Sequence, residues 1–131
     1  MLDVDFVITI HDEIIAEFGG CAGFAGSGRG GVESALMRVN NHIEYAGLND
    51  ALGIAGLYAE AIARGHVFND GNKRTGLTCA LSYLAQQNLH VRRDPILEEA
   101  TVWLAEGSWD SEAFAWLLGH LAGINTDTQI G

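Results

Sequence analysis

Residues 66 to 74 place a histidine, a carboxylate, an amide and two adjacent cations within nine positions, reading His66-Val67-Phe68-Asn69-Asp70-Gly71-Asn72-Lys73-Arg74. Histidine is the common general base near neutral pH, so His66 is the candidate to take a proton from a reacting hydroxyl. Asp70 lies between the histidine and the cations, close enough to orient a cation, a nucleophile or a bound Mg²⁺. Asn72 carries an amide that can donate to an oxyanion or a phosphate. Phe68 alternates with His66 in an extended turn and should point inward, anchoring the loop. Lys73 and Arg74 fall in the first turn of a helix that begins near Gly71. A helix start leaves about four N–H groups unpaired and carries partial positive charge, so it prefers acidic side chains. Each cation there costs ~0.3–1 kcal/mol at a surface. A bound anion removes the conflict, because phosphate oxygens can accept from the free N–H groups and from both cations together.

The position of these cations carries weight because cations are scarce. The chain has seven basic residues against seventeen acidic ones and a formal net charge of −10, and Lys73 is its single lysine. A protein that grips nucleic acid usually presents a basic face, since phosphate neutralisation supplies most of the affinity. Composition therefore argues against DNA binding. The two cysteines, Cys21 and Cys79, form neither a disulfide framework nor a metal-type spacing. No apolar leader opens the chain and no apolar run approaches 18 residues, so the expectation is a protein of the cytoplasm with no membrane span.

Each functional reading has a plainer one beside it. His66 could be a turn or core histidine, Lys73 and Arg74 a solvated face, and Asp70 a helix N-cap. Arg64 could reach the site or interact with the C-terminal end of its own helix, with nothing to separate the two. Arg29 lies in a glycine-rich stretch that suits a docking flap or an ordinary surface loop. His11, His42, His90 and His120 make no metal pattern and read as structural or surface residues. Trp103, Trp109 and Trp116 read as core, with a partner groove as the alternative for one of them.

The elements that must position the motif are helices. Phe6, Ile10, Ile14 and Phe18 have i, i+4 spacing and predict a helix from about Asp5 to Phe18, although residues 2 to 10 also nearly alternate as a strand would. Residues 19 to 31 hold seven glycines and predict a loop, a candidate flap. A second helix is predicted from Val32 to about Tyr45. A third, capped by Asn49 or Asp50, runs to about Arg64 and is apolar nearly all round, which places it centrally. The fourth runs from about Gly71 to Gln87. Asp94-Pro95 starts a fifth, as an acidic cap followed by proline, ending near Gly107. Ser108 or Asp110 starts a sixth. Residues 124 to 131 read as a frayed tail. Neither a repeat nor a linker divides residues 1 to 131, so the expectation is a single all-α domain, a compact bundle of about six helices.

The nine-residue segment resembles the Doc version of the Fic motif, His-x-Phe-x-Asp/Asn-Ala/Gly-Asn-Lys-Arg, on a loop between two central helices. The likeness extends from His11-Asp12 and Gly19-Gly20 through Gly28-Arg29, Ala63-Arg64-Gly65 and the fourth helix, roughly residues 9 to 121. The chain is thus identified as a Doc-type toxin of the Fic/Doc superfamily. That resemblance implies an enzyme using ATP and Mg²⁺: a protein kinase acting on a Ser/Thr hydroxyl of a Tu-like translation elongation factor and so arresting translation. His66 would deprotonate the hydroxyl, and Asp70 would hold the metal or orient the target. Gly71, Asn72, Lys73 and Arg74 would hold the triphosphate. It also implies a small antitoxin partner with a Phd-like C-terminal segment. Fic proteins usually carry glycine where Lys73 stands and transfer AMP, so an AMP transferase is the first alternative. A catalytically inactive module that binds nucleotide or antitoxin is the second. Thr9–Glu13 and Ser108–Glu112 match only the first part of the Fic inhibitory helix, since Ile14 and Ala113 follow, so control is expected from a partner chain.

Overall fold

The computed structural model describes residues 1 to 124. They form six helices in the order α1 (Val4–Phe18), α2 (Gly28–Ala46), α3 (Ala51–Gly65), α4 (Asn72–Gln86), α5 (Ile96–Glu106) and α6 (Ser111–Leu121). Among the described residues there is no strand beyond a single bridge between Phe24 and Phe68. The all-α expectation therefore holds, and residues 2 to 10 are helical.

Local chemistry accounts for most helix ends. Asp3 starts α1 by accepting from the Phe6 N–H at 2.8 Å, and Asp110 starts α6 by accepting from Ala113 N–H at 2.9 Å. Of the two candidates for α3, Asp50 is the cap, taking the N–H groups of Leu52 and Gly53. Asp94 accepts from the N–H of Ile96 at 3.0 Å just ahead of α5. The start of α2 differs from the prediction: the helix begins at Gly28, four residues inside the stretch expected to be loop. Glycine disfavours a helix interior by ~1 kcal/mol, yet the turn forms, and its one charged side chain bridges to α1. Arg29 reaches Asp5 of α1 at 2.8 Å and Glu33 of its own helix at 3.6 Å. Arg29 is thus a helical residue and not a flap residue. The tail expected over residues 124 to 131 lies outside the described residues except for Ile124, whose N–H donates to the Gly119 carbonyl at 2.9 Å.

The third helix occupies the centre, packing against α2, α4, α5 and α6. Tyr58, Ile62, Leu84, Leu97, Leu104, Phe114 and Leu118 are almost fully buried around it. The Tyr58 hydroxyl, inside this core, donates to Asn40 of α2 and accepts from the Leu2 N–H, tying three parts of the chain together. Helices α3 and α4 cross closely because Gly76 has no side chain: a Cβ there would stand 3.0 Å from the Ala59 carbonyl oxygen and 3.2 Å from the Ala63 nitrogen. That crossing is what fixes the loop of residues 66 to 71 between them. Of the three tryptophans, Trp103 and Trp109 pack on each other against the core, whereas Trp116 is half exposed and stacks on His120.

Candidate active site

The loop from α3 to α4 begins at a strained position. His66 is the left-handed C-cap of α3, with φ 49° and ψ 48°. An L-residue with a Cβ pays for this conformation, and α3, expected to run to about Arg64, includes Gly65 as its last residue. The strain turns the chain sharply at the end of α3 and leaves His66 exposed between Gly65 and the buried Val67. Such strain persists only where the surroundings over-determine it.

Those surroundings are visible two residues on. Phe68 is 2 % exposed, as expected of an anchor. Its ring stacks on His11 of α1 with centroids 3.7 Å apart and planes 5° apart, and lies 5.9 Å from the ring of Phe24. Asn72 closes the loop on itself: its Oδ1 accepts from the Phe68 N–H at 3.0 Å and its Nδ2 donates to the Phe68 carbonyl at 2.9 Å. The Asn72 side chain is buried and engaged by this pair. On the outer side, residues 22 to 25 pair with the loop. Ala25 donates to the Val67 carbonyl, Asn69 N–H to the Gly23 carbonyl and Asn69 Nδ2 to the Ala22 carbonyl, each at 3.0 Å.

Asp70 is not the N-cap of α4; Gly71 is. The exposed Asp70 carboxylate accepts from the Gly71 N–H through Oδ1 at 3.0 Å and from the Cys21 N–H through Oδ2 at 3.3 Å. Gly20 makes room for it, since a Cβ there would sit 2.8 Å from Asp70 Oδ2. The Asp70 carbonyl is held from below by His11 Nε2 at 2.8 Å. His11 is 1 % exposed, with Asp12 Oδ1 3.4 Å from its Nδ1. From the sequence alone His11 reads as a structural or surface histidine. A signal was present, since i, i+4 spacing puts His11 on the buried face of α1 with Val7 and Ile14, but only the fold shows what it meets.

The first helical bond of α4 runs from Thr75 N–H to the Gly71 carbonyl, so the N–H groups of Asn72, Lys73 and Arg74 have no backbone partner among the described residues. No acidic residue occupies that first turn. Among the described residues neither Lys73 nor Arg74 forms an ion pair. The Arg74 guanidinium rests 4.0 Å above the ring of Phe18, a cation–π contact that fixes its direction. Both cations line a groove of about 490 Å³ between α1, α4 and α5, whose floor includes Ile14, Leu77 and Leu81. His66 opens onto a different hollow, of about 420 Å³, with Ser27, Ser34 and Arg38. His66 and the two cations thus line separate hollows, with Asp70 on the loop between them in sequence.

Arg64 does not join them, and neither sequence reading of it holds. Its Nε donates to the Leu104 carbonyl at 2.9 Å and its NH2 group to the Trp109 carbonyl at 2.7 Å, with Glu60 Oε2 at 3.5 Å. Arg64 thereby ties the end of α3 to the end of α5, whose Leu104 carbonyl also accepts from the Gly107 N–H at 3.2 Å, and to the turn before α6. Two turns along α4, burial pushes the Cys79 thiol up to about 12. Among the described residues no cluster of three His, Cys, Asp or Glu side chains forms a metal cage, and no helix is long and apolar enough to cross a membrane.

A helical bundle presenting a histidine loop at a doubly cationic helix start with no side-chain cap is the arrangement of a group-transfer enzyme. The Fic/DOC family model matches residues 1–84, and the chain belongs to that family, as a Doc-type enzyme. Over 117 residues it is 36% identical to the protein kinase doc of Escherichia phage P1, covering 89% of this chain and 91% of that one.

Proposed function

We propose that this chain is the toxin of a toxin–antitoxin pair, a protein kinase that moves the γ-phosphate of ATP to a Ser/Thr hydroxyl of a Tu-like elongation factor in the cytoplasm. The observation that carries the reading is the α4 start at the end of the His66 loop, whose two cations have no carboxylate partner among the described residues. Likeness to a relative named as a protein kinase supports the choice of reaction, as does Lys73 in the place where Fic enzymes usually have glycine.

In this reading His66 takes the proton of the target hydroxyl. The hydroxyl oxygen bonds to the γ-phosphorus, the bond from that phosphorus to the bridging oxygen breaks, and ADP leaves with its electron pair. The proton on His66 then passes to solvent. Lys73, Arg74 and the N–H groups of Asn72 to Arg74 hold the phosphate oxygens, where charge is greatest in the transition state. The Asp70 carboxylate is exposed and only accepts, which fits a Mg²⁺ bound through one carboxylate and substrate phosphates. Such an ion would neutralise charge on the transferring group.

Inhibition by an antitoxin segment has a natural seat beside Lys73 and Arg74. The adjoining groove carries exposed Phe18 and Val102 with Arg93 and three glutamates on its walls. An amphipathic segment laid there with an acidic group toward Lys73 would occupy the phosphate position directly.

Intact-mass spectrometry of the elongation factor after incubation with the protein, ATP and Mg²⁺ tests the reading. One added phosphoryl group, lost in His66→Ala, is the expected result. One added adenylyl group keeps the site and reverses the nucleotide, making the enzyme an AMP transferase. No addition to the factor or to any protein of a lysate overturns the enzyme reading in favour of a binding module.

A further inference from the structure

We propose that His11 is a positioning residue for the reaction, acting from α1 through the Asp70 carbonyl to set where the motif loop presents the Asp70 carboxylate. A carbonyl oxygen can only accept, so the His11 Nε2 atom 2.8 Å away carries the proton and donates. The ring cannot swing away, because it is 1 % exposed and lies flat on Phe68 at 3.7 Å. It also fills the space beneath the turn: a Cβ on Gly71 would meet His11 Cδ2 at 3.6 Å and Nε2 at 3.7 Å. Asp70 is therefore held from three directions. His11 holds its carbonyl, Gly71 N–H holds Oδ1, and Cys21 N–H holds Oδ2. The first of these is the one side-chain donor, and it comes from a helix that otherwise contributes nothing to the loop's own hydrogen bonding. Removing it leaves a carbonyl free to rotate, and the carboxylate attached to the same residue turns with it. A merely space-filling His11 would matter for stability alone.

This assignment rests on the role given to Asp70 above, and the experiment separates the two. His11→Gln keeps an N–H at nearly the reach of Nε2, His11→Asn has the same chemistry but falls short, and His11→Phe keeps a ring on Phe68 without a donor. The expected result is that the Asn and Phe variants, folded by circular dichroism, lose kcat roughly tenfold to a hundredfold with KM for ATP little changed, as for a displaced reacting group. The Gln variant recovers most of it. Amide proton resonances of Cys21 and Gly71, both bonded to the Asp70 carboxylate, should move upfield in the Asn and Phe variants and stay in place with Gln. These signals are read without substrate. If they move while the parent transfers no phosphate, the His11 assignment stands and the kinase reading falls. Equal kcat and equal amide shifts for the Gln and Asn variants would overturn the assignment, whatever becomes of the Phe variant.

Discussion

Replacing Gly20 by alanine should cripple the enzyme while costing it only modest stability, and Gly19→Ala supplies the control. Both glycines have positive φ, 82° at Gly19 and 117° at Gly20. Either alanine therefore carries backbone strain of roughly 1–3 kcal/mol, visible as a drop of several degrees in Tm. The two differ in what the new methyl meets. At Gly19 nothing lies within 4 Å. At Gly20 it would stand 2.8 Å from Asp70 Oδ2, 3.2 Å from Asp70 Cγ and 3.3 Å from Ile15 Cδ1. Ile15 is anchored in α1, so the carboxylate must yield, by about half an ångström to reach ordinary contact. That movement also stretches the 3.3 Å bond from Cys21 N–H. Displacements approaching 1 Å cost on the order of 10²-fold in rate, so kcat should fall about ten- to a hundredfold in Gly20→Ala and stay near the parent value in Gly19→Ala. Thermal melts followed by circular dichroism and a phosphotransfer assay at saturating ATP measure the two quantities on the same samples. Equal activity in the two variants, at equal stability, would refute the claim that this glycine exists to seat Asp70.

Arg64→Ala should lower stability by about 1–3 kcal/mol, because the Leu104 and Trp109 carbonyls lose a charged donor, yet leave kcat of the folded enzyme unchanged; urea titration and initial rates check both. Phe68→Ala removes the ring between His11 and Phe24 and should cost ~3–5 kcal/mol, seen as a lowered urea midpoint. With a thiol reagent at pH 8, exposed Cys21 should label in the native protein and Cys79 only after unfolding; mass spectrometry counts the adducts. Because burial holds the Cys79 thiol protonated up to about 12 against an ordinary 9.0, its contribution to stability is complete below pH 9 and is lost as pH rises toward 12. Denaturant midpoints in Cys79→Ala should accordingly fall less steeply across that range than those of the parent.

The sequence alone determined what depends on neighbours a few residues apart. Asp50, Asp94 and Asp110 announce helix starts because a carboxylate accepts from N–H groups two or three positions ahead, and the apolar spacing of α3 marks it as central. The motif was legible for the same reason: two cations in a first turn conflict with the helix dipole wherever the helix sits. Tertiary structure decided the rest. The start of α2 lies at Gly28, where Arg29 finds Asp5, twenty-four residues away, a contact that no local pattern announces. Arg64 turned to the α5–α6 junction, where the Leu104 and Trp109 carbonyls accept from it, and Asn72 turned inward because the bend at His66 brought Phe68 within its reach. His11 shows the division most plainly. Its helical face could be read from its neighbours, but its partner is fifty-nine residues away, and only the close crossing of α3 and α4 delivers Asp70 to it.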